Sequence, residues 1–362
     1  MTDAATAAEE GDLIVRREGA AGIIRLNRPK ALNAMTLEMS LGIDAALDRF
    51  EADPDIAVII LEGAGERGLC AGGDIRGLYE SSKQGGDLGK VFWRQEYIMN
   101  ARIAAFPKPY VAYMDGLVMG GGVGLSAHGR HRIVTERTKL AMPEVGLGFF
   151  PDVGGTWLLS RAPGELGAYF GLTGHTMNGP DAIHARFADA LVPSGQWPSL
   201  REVLTKVRPG TLPREITRLI DGFATGESAG PVAAQQERID AWFAHDRMHD
   251  IVAVLKQDGS ELALATLKAL SEKSPRGMVV TLKLLRLARG SASLEECLVR
   301  EYRAALEVFR SDDFREGVRA AIIDKDRNPR WSPPDIDDVT PAMLAPYLAE
   351  IGKDELIFPQ SK

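Results

Sequence analysis

A run of apolar residues rich in Val and Ile, Ala57–Leu61, constrains the fold of this chain more than any other feature. A strand that is apolar at every position is typical of a parallel sheet covered by helices on both faces. Apolar residues with helical spacing precede the run in Met35–Phe50 and follow it in Val91–Ala104, and a second apolar run lies at Tyr110–Met114. This alternation predicts an α/β layer structure.

The chain changes character near residue 195. Before that point, short runs at Leu13–Arg17 and Gly22–Leu26 are separated by a Gly/Ala turn and predict a β-hairpin. After it, long amphipathic segments predict helices, and a Pro-rich stretch lies at Asn328–Pro334. We therefore expect a flexible N-terminus at residues 1–12, an α/β catalytic core at 13–195, and a helical C-terminal region with a Pro-rich tail at 196–362.

Charge and cysteine content exclude several broad classes. Lys and Arg number 43 against 50 Asp and Glu, a net charge of −7, which argues against a general nucleic-acid-binding protein. The two cysteines, Cys70 and Cys297, are typical of a reduced intracellular protein. The first residues lack the basic start and apolar run of a signal peptide, and no apolar stretch reaches the roughly 18 residues that span a membrane. We expect a cytoplasmic protein with neither membrane nor nucleic acid as partner.

Three glycine-rich segments stand out, at Gly68–Ile75, Met119–Gly124 and Met142–Gly155. Glycine lets the backbone approach a ligand closely, and a strand that runs through glycines into a helix leaves unpaired N–H groups at the helix start. Two such turns that converge on one oxygen would form an oxyanion hole. The alternative is that the glycines serve only tight turns and close helix packing.

Other catalytic patterns fail on inspection. No segment matches the P-loop or the dinucleotide-binding fingerprint. Around Ser126 the sequence approaches a nucleophile elbow, but His128 stands where the second glycine is required. The six histidines show no metal-ligand spacing. The sequence therefore predicts an enzyme without a metal or other cofactor.

Taken in order, the glycine segments and the stretch Leu26–Ala34 resemble the crotonase (enoyl-CoA hydratase/isomerase) superfamily. The resemblance implies a core of repeated β-β-α units and a homo-oligomer, a trimer or a hexamer. It also implies that the N–H groups of Gly73 and Gly121 hold the oxygen of an acyl-coenzyme A thioester. The residues that would line the coenzyme A groove are Lys30, Ala31, Leu32, Ala71, Gly72, Asp74 and Ile75.

One departure from the superfamily pattern bears on the reaction. A hydratase of this superfamily carries two glutamates, and the position of the first is occupied here by Gly124, while Glu144 stands at the second. Asp152 follows eight residues later. This pairing, together with Arg94–Tyr97 and Ser311–Ala320, resembles the 3-hydroxyisobutyryl-CoA hydrolase branch, with coenzyme A as part of the substrate. The resemblance also implies that Glu96 contacts the hydroxyl end of that substrate.

Each candidate side chain has a structural alternative. Glu144 is the candidate catalytic base or nucleophile. The alternative is that it is a helix or turn carboxylate with only a structural role. Asp152 would orient the substrate or water or share proton transfer, and it would also suit the N-cap of a helix starting at Val153. Glu96 is a substrate contact or a solvated helix residue. Cys70 is expected to be a packing residue.

These expectations define three candidate functions. The first is hydrolysis of a β-hydroxyacyl-CoA thioester, most specifically 3-hydroxyisobutyryl-CoA in valine breakdown, by an oxyanion hole and the Glu144/Asp152 pair. The second is an enoyl-CoA hydratase or isomerase that uses Glu144 alone. The third is an acyl-CoA-binding protein without catalytic activity.

Overall fold

The computed structural model describes residues 11–226 and 229–359, which form a mixed α/β structure. Its strands are β1 (Leu13–Glu18), β2 (Ala21–Leu26), β3 (Val58–Gly63), β4 (Gly68–Cys70), β5 (Tyr110–Met114), β6 (Leu117–Met119), β7 (His131–Val134), β8 (Lys139–Ala141) and β9 (Ala190–Leu191). Its helices are α1 (Leu37–Ala52), α2 (Ile75–Lys83), α3 (Leu88–Ala104), α4 (Gly121–Ser126), α5 (Gly155–Ser160), α6 (Leu166–Thr173), α7 (Gly179–His184), α8 (Trp197–Thr205), α9 (Pro213–Asp221), α10 (Gln236–Phe243), α11 (Met248–Asp258), α12 (Glu261–Ser271), α13 (Pro275–Arg289), α14 (Leu294–Arg310), α15 (Asp312–Val318) and α16 (Pro341–Leu348).

The larger sheet has six strands in the order β1-β2-β3-β5-β7-β9. β1 and β2 form the antiparallel hairpin that the sequence predicts, and every other pairing in the sheet is parallel. β3 lies near the middle, where Ile60 is paired with Ile23 of β2 and Val111 of β5. The prediction that this apolar run is a strand of a parallel sheet is confirmed.

Both faces of β3 are covered, as its composition requires. Ile59 and Leu61 face the main core, which also contains residues of α1 and α3. Val58 and Ile60 face a smaller core against α8 and α9. Because side chains alternate across a strand, a strand between two cores must be apolar at every position.

A second, smaller sheet determines where the chemistry can occur. It is parallel, in the order β4-β6-β8, and its strands end at Cys70, Met119 and Ala141. Each of these strands leads directly into one of the three glycine-rich segments. Since the carboxyl ends of parallel neighbours lie at the same edge, the three segments meet there.

All strands end by Leu191, and the described residues beyond it form helices and irregular segments. α14 packs against α3, α13 packs against α5, and α15 packs against α2, so the C-terminal helices cover the first half of the chain. We expect residues 1–12 to be flexible. Residues 1–10 of this segment lie outside the described residues. Asp12 is anchored, since its carbonyl accepts a hydrogen bond from Asn27 N at 2.8 Å. Among the described residues, no helix has the length and apolar character needed to cross a membrane.

Candidate active site

The first glycine turn presents the N–H of Gly73. The carbonyl of Gly72 accepts from Met35 N at 2.9 Å, and Asp74 N donates to Met35 O at 2.7 Å. The C=O and N–H bonds of a trans peptide point in opposite directions, so the N–H of Gly73 points away from Met35. Gly72 has φ +110°, a conformation that a side chain would rarely adopt.

The second glycine turn brings the N–H of Gly121 beside it. Gly121 is the first residue of α4, so its N–H has no partner within the helix. A Cβ added at Gly121 would lie 3.4 Å from Gly73 N, and one added at Gly72 would lie 3.9 Å from Gly121 N. With a Cβ roughly 2.5 Å from its own nitrogen, the two nitrogens are at most about 6 Å apart, which is two hydrogen-bond lengths. Both N–H groups can therefore reach one oxygen atom.

Two glutamates flank this pair of N–H groups. A Cβ added at Gly120 would lie 2.8 Å from Glu144 Oε1, and one added at Gly121 would lie 2.8 Å from Glu96 Oε1. Glu144 begins a 3-10 turn after β8, and Glu96 comes from the middle of α3. Glu96 Oε1 and Glu144 Oε2 are buried without a hydrogen-bond partner among the described residues. The interpretation of Glu96 as a solvated helix residue is wrong, since only 2% of it is exposed.

Asp152 is the third buried carboxyl of the site. Its Oδ2 accepts a hydrogen bond of 2.6 Å from the hydroxyl of Tyr97, the residue after Glu96. The N-cap alternative for Asp152 is wrong, because α5 begins at Gly155 and Gly154 occupies the cap. Between them, Val153 has φ +55°. For a β-branched residue this conformation is a genuine outlier that costs about 1–3 kcal/mol and is found mainly at functional sites.

Burial controls the protonation of these acids. Desolvation raises the pKa of Glu144 and of Glu96 well above the usual range, and the charge of Asp152 raises both further. Burial also raises the pKa of Asp152 from 3.8 to about 7, against the hydrogen bond from Tyr97, which lowers it. Carboxyls crowded in a site with little solvent cannot all ionise. The cluster therefore keeps a proton near neutral pH.

A small cavity of about 80 Å³ opens between these groups. One part of its wall is aromatic: the rings of Trp93 and Phe149 stack at 5.2 Å between centroids, and the ring centroid of Phe314 lies 6.0 Å from that of Phe149. The residues that line it are Ala71, Gly72, Gly73, Ile75, Leu78, Phe92, Trp93, Glu96, Met119, Gly120, Gly121, Pro143, Glu144, Leu147, Phe149, Asp152, Val153 and Phe314. A volume of this size fits a short acyl group beside polar atoms.

The remaining predicted groove residues lie outside this cavity. Lys30 and Ala31 form an exposed turn, and Leu32 is joined to the first glycine loop by a hydrogen bond of 3.0 Å from Ala71 N to its carbonyl. Asp74 accepts from Arg28 at 3.2 Å, which fixes the same loop. Their assignment to a coenzyme A groove stays a prediction.

The space beside Gly124 is closed. An added Cβ there would lie 2.7 Å from Val153 Cβ and 2.9 Å from Asn100 Nδ2. A hydratase-type glutamate therefore has no room at this position. Cys70 is fully buried, and burial raises the pKa of its thiol to about 12, in agreement with its expected role in packing.

Sequence reasoning gave no role to three residues in or behind the site: Tyr97, Phe314 and Glu301. The first two stand in the segments Arg94–Tyr97 and Ser311–Ala320, which carry the family resemblance. Glu301 is fully buried on α14 and accepts hydrogen bonds from the turn that carries Asp152. One signal was available. In Leu294–Arg310 the apolar residues Leu294, Leu298 and Ala305 recur with helical spacing, and a glutamate on that apolar face needs a partner.

Two other features do not compete with this site. A larger cavity of about 380 Å³ lies near α8. Two arginines that line it already form ion pairs, Arg137 with Asp115 and Arg201 with Glu62. Within the described part of the chain, no group of three or more His, Cys, Asp or Glu residues is arranged to hold a metal ion.

Comparison with known proteins agrees with this geometry. A model of the enoyl-CoA hydratase/isomerase family matches residues 21–348. This chain belongs to that family, and the crotonase resemblance is confirmed. The protein "3-hydroxyisobutyryl-CoA hydrolase, mitochondrial" from Rattus norvegicus is 40% identical over 356 residues, which cover 97% of this chain and 92% of the relative.

Two crystal structures have the same fold over nearly the whole chain. A carnitinyl-CoA dehydratase from Mycobacterium thermoresistibile has a TM-score of 0.92 and 41% identity, covering 97% of this chain and 100% of its own. An enoyl-CoA hydratase from Rhodobacter sphaeroides 2.4.1 has a TM-score of 0.89 and 44% identity, covering 96% and 100%. The names of these relatives thus include a hydrolase, a hydratase and a dehydratase, so residues of the site must separate thioester hydrolysis from the addition or removal of water.

The comparisons also correct one expectation. The expected cytoplasmic address is wrong, because the relative from Rattus norvegicus, like those of the same name from other vertebrates, is mitochondrial by name. Composition and cysteine content do not distinguish between compartments inside a cell.

Proposed function

We propose that this protein hydrolyses 3-hydroxyisobutyryl-CoA to 3-hydroxyisobutyrate and coenzyme A, a step of valine breakdown. The single observation that carries the proposal is the closed space at Gly124. With Val153 and Asn100 against that glycine, no glutamate at position 124 can hold water for addition to a double bond. The carboxyl pair that remains, Glu144 and Asp152, suits cleavage of a thioester whose oxygen lies between two N–H groups.

In the proposed reaction, the thioester oxygen accepts hydrogen bonds from Gly73 N and Gly121 N. In the reactive form the proton of the acid cluster is on Asp152 and Glu144 is a carboxylate. Glu144, with one oxygen unpartnered among the described residues, attacks the carbonyl carbon, and the resulting oxyanion is stabilised by the two N–H groups. When the C–S bond breaks, the departing thiolate takes a proton from Asp152. Water then cleaves the mixed anhydride, returns a proton to Asp152, and releases the acid with Glu144 restored as a carboxylate.

Glu96 accounts for the hydroxyl of the substrate. Its Oε1 is buried, unpartnered among the described residues, and lies against the oxyanion turn at Gly121. A substrate hydroxyl placed there would donate to it, and a buried acceptor left unpaired is costly. We propose that Glu96 selects 3-hydroxyacyl over unsubstituted acyl groups.

The test is free-thiol release with 3-hydroxyisobutyryl-CoA, isobutyryl-CoA and longer acyl-CoAs, run beside an assay of crotonyl-CoA hydration. Glu144→Gln should lower kcat by about 10²-fold or more, and Asp152→Asn should lower it substantially. Ser126→Ala, which removes a hydroxyl bonded within α4 to Gly122 O, is the control and should change little. Faster hydration than thiol release, or an active Glu144→Gln, would show that the proposal is wrong.

A labelling experiment tests the direct attack by Glu144. In a single turnover in H₂¹⁸O, an anhydride intermediate opened at the Glu144 carbonyl leaves ¹⁸O in the peptide that contains Glu144. If the label enters only the released acid and rapid-quench mass spectrometry finds no acylated peptide that contains Glu144, Glu144 is a general base for water instead.

Three further assignments belong to the same proposal. Residues 13–195 form the catalytic core, with supporting side chains from 196–362.

The reaction uses no cofactor, so activity should survive chelation and dialysis. A loss of activity that one divalent ion restores would overturn this. The active form is a homo-oligomer, a trimer or a hexamer, to be measured by sedimentation.

A further inference from the structure

A glutamate far along the chain holds the turn that carries Asp152. Glu301 Oε2 accepts from Gly154 N at 2.7 Å, and its Oε1 accepts from Thr156 N at 3.0 Å and from the Thr156 hydroxyl. Glu301 is fully buried on α14, and these three donors all belong to the residues just after Asp152. Glu301 is not among the residues that line the cavity.

The turn needs such support because it is strained. Val153 has φ +55° and Gly154 has φ +76°, so two consecutive residues are left-handed. A β-branched residue leaves this conformation unless its surroundings hold it. The strain also has a use, since it brings Val153 Cβ into the space beside Gly124.

A second contact holds the same turn from the other side. His128 Nε2 lies 2.8 Å from Val153 O, and burial lowers the pKa of His128 to about 4. The ring is therefore neutral, and its Nε2 carries the proton that the carbonyl accepts. This contact fixes the carbonyl of Val153, whereas Glu301 fixes the N–H groups of Gly154 and Thr156.

We propose that Glu301 is a positioning residue: its carboxyl group holds the 152–156 turn in the left-handed conformation that directs Asp152 into the cavity. The proposal rests on the function proposed above, because it assumes that Asp152 takes part in the reaction. Burial raises the pKa of Glu301 to about 8, while the hydrogen bonds from Thr156 and Gly154 lower it. A carboxyl group is required because both of its oxygens accept hydrogen bonds here, which they can do whether or not the group is ionised. In glutamine one of them becomes NH₂, which cannot accept from any of the three donors.

The main experiment compares Glu301→Gln with Asp181→Asn. Asp181 is also buried, its Oδ1 accepts from Val232 N at 3.0 Å, and it lies on α7, which contributes no residue to the cavity. We expect Glu301→Gln to lower kcat by about 10-fold or more, with KM changed less than about 2-fold, because the turn is misplaced while the binding pocket is kept. Asp181→Asn should leave both constants near those of the wild type.

Hydrogen exchange supplies a readout that does not depend on activity. The amides of Gly154 and Thr156 should exchange faster in Glu301→Gln and at the wild-type rate in Asp181→Asn. If Glu301→Gln does not fold, Thr156→Val removes one donor at nearly constant shape, and Thr156→Ser restores the hydroxyl. Thr156→Val should lower kcat and speed exchange, and Thr156→Ser should not.

The two proposals fail in different ways. A wild-type protein that releases no thiol from 3-hydroxyisobutyryl-CoA contradicts the proposed function, and unchanged exchange at Gly154 and Thr156 in Glu301→Gln still contradicts the role of Glu301. An active wild type with unchanged kcat and exchange in Glu301→Gln overturns the positioning role alone.

Discussion

The hydroxyl of Tyr97 donates a 2.6 Å hydrogen bond to Oδ2 of Asp152. Both groups are buried, and the pKa of Tyr97 is raised well above its usual value, chiefly by burial and then by the charge of Asp152. The tyrosine is therefore a fixed neutral donor. It holds one oxygen of Asp152 and leaves the other for proton transfer.

Removing this donor should change the pH dependence of the reaction. The hydrogen bond from Tyr97 lowers the pKa of Asp152, so Tyr97→Phe should raise that pKa. If protonated Asp152 is the acid, the basic limb of the kcat–pH profile moves to higher pH. We also expect kcat at pH 7 to fall by about 10-fold, because the hydrogen bond from Tyr97 stabilises the charge that Asp152 gains as it gives up its proton. A hydrogen bond to a charged group contributes about 1.5–3 kcal/mol.

The matched control is Tyr110→Phe. Tyr110 is likewise buried, but its hydroxyl donates to Leu125 O at 3.2 Å, outside the acid cluster. Its removal should leave the pH profile unchanged. A profile that shifts equally in both variants would mean that Tyr97 acts only through general packing.

The closed space at Gly124 predicts that Gly124→Ala lowers stability, whereas helix propensity alone would predict a gain. In a helix, Gly→Ala ordinarily adds up to about 1 kcal/mol of stability. Here the new Cβ would meet Val153 Cβ at 2.7 Å, so Gly124→Ala should lower Tm and thioesterase activity together. Gly195→Ala, at a glycine with nothing within 4 Å, is the control. Gly124→Glu should gain no crotonyl-CoA hydration, and a gain would contradict the argument against a hydratase.

The acid cluster should reduce stability at neutral and alkaline pH. Burial raises the pKa of Asp152 from 3.8 to about 7, so the folded protein binds more protons than the unfolded chain between these values. Stability is therefore lost as the pH rises through this window. The loss is absent below pH 3.8 and complete above about pH 7.

Asp152→Asn removes this charge while its Oδ1 can still accept from Tyr97. We expect its Tm to exceed that of the wild type by about 2 °C or more at pH 8, and the difference to vanish near pH 4. Asp48→Asn, at a side chain that is 76% exposed, should show no such gain. An equal or lower Tm of Asp152→Asn at pH 8 would contradict the raised pKa.

We expect Phe314 to limit the length of acyl chain that the cavity accepts. It is fully buried and forms part of the aromatic wall. Phe314→Leu should raise kcat/KM for an acyl-CoA one methylene longer relative to the short substrate by about 10-fold. Phe243→Leu, at another fully buried ring on α10, should lower stability without changing that ratio. Equal ratios in the two variants would exclude Phe314 as a determinant of specificity.

Sequence patterns predict the local part of this structure well. The hairpin, the central run Ala57–Leu61 and the helix at Met35–Phe50 are observed within a few residues of their expected bounds. Each depends on spacing within one segment. The structure also brings together Gly73, Gly121 and the three acids, although their catalytic roles stay predictions.

What the sequence does not predict depends on packing between distant segments. Tyr97 and Asp152 are 55 residues apart, and Thr156 and Glu301 are 145 apart. No periodicity joins such pairs. The N-cap expectation for Asp152 failed for a related reason, since the left-handed Val153 delays the start of α5 until Gly155. That conformation is maintained by Glu301, which lies in another region of the chain.

The separation of Thr156 from Glu301 has a consequence during biosynthesis. The 145 residues between them take roughly 7–30 s to translate at about 5–20 residues per second. Throughout that interval the nascent core lacks α14 and α15, and with them the acceptor for the 152–156 turn and one wall of the cavity. A ribosome-bound chain that ends before Glu301 should therefore bind no acyl group productively. The protein becomes a working catalyst only in the last part of its synthesis.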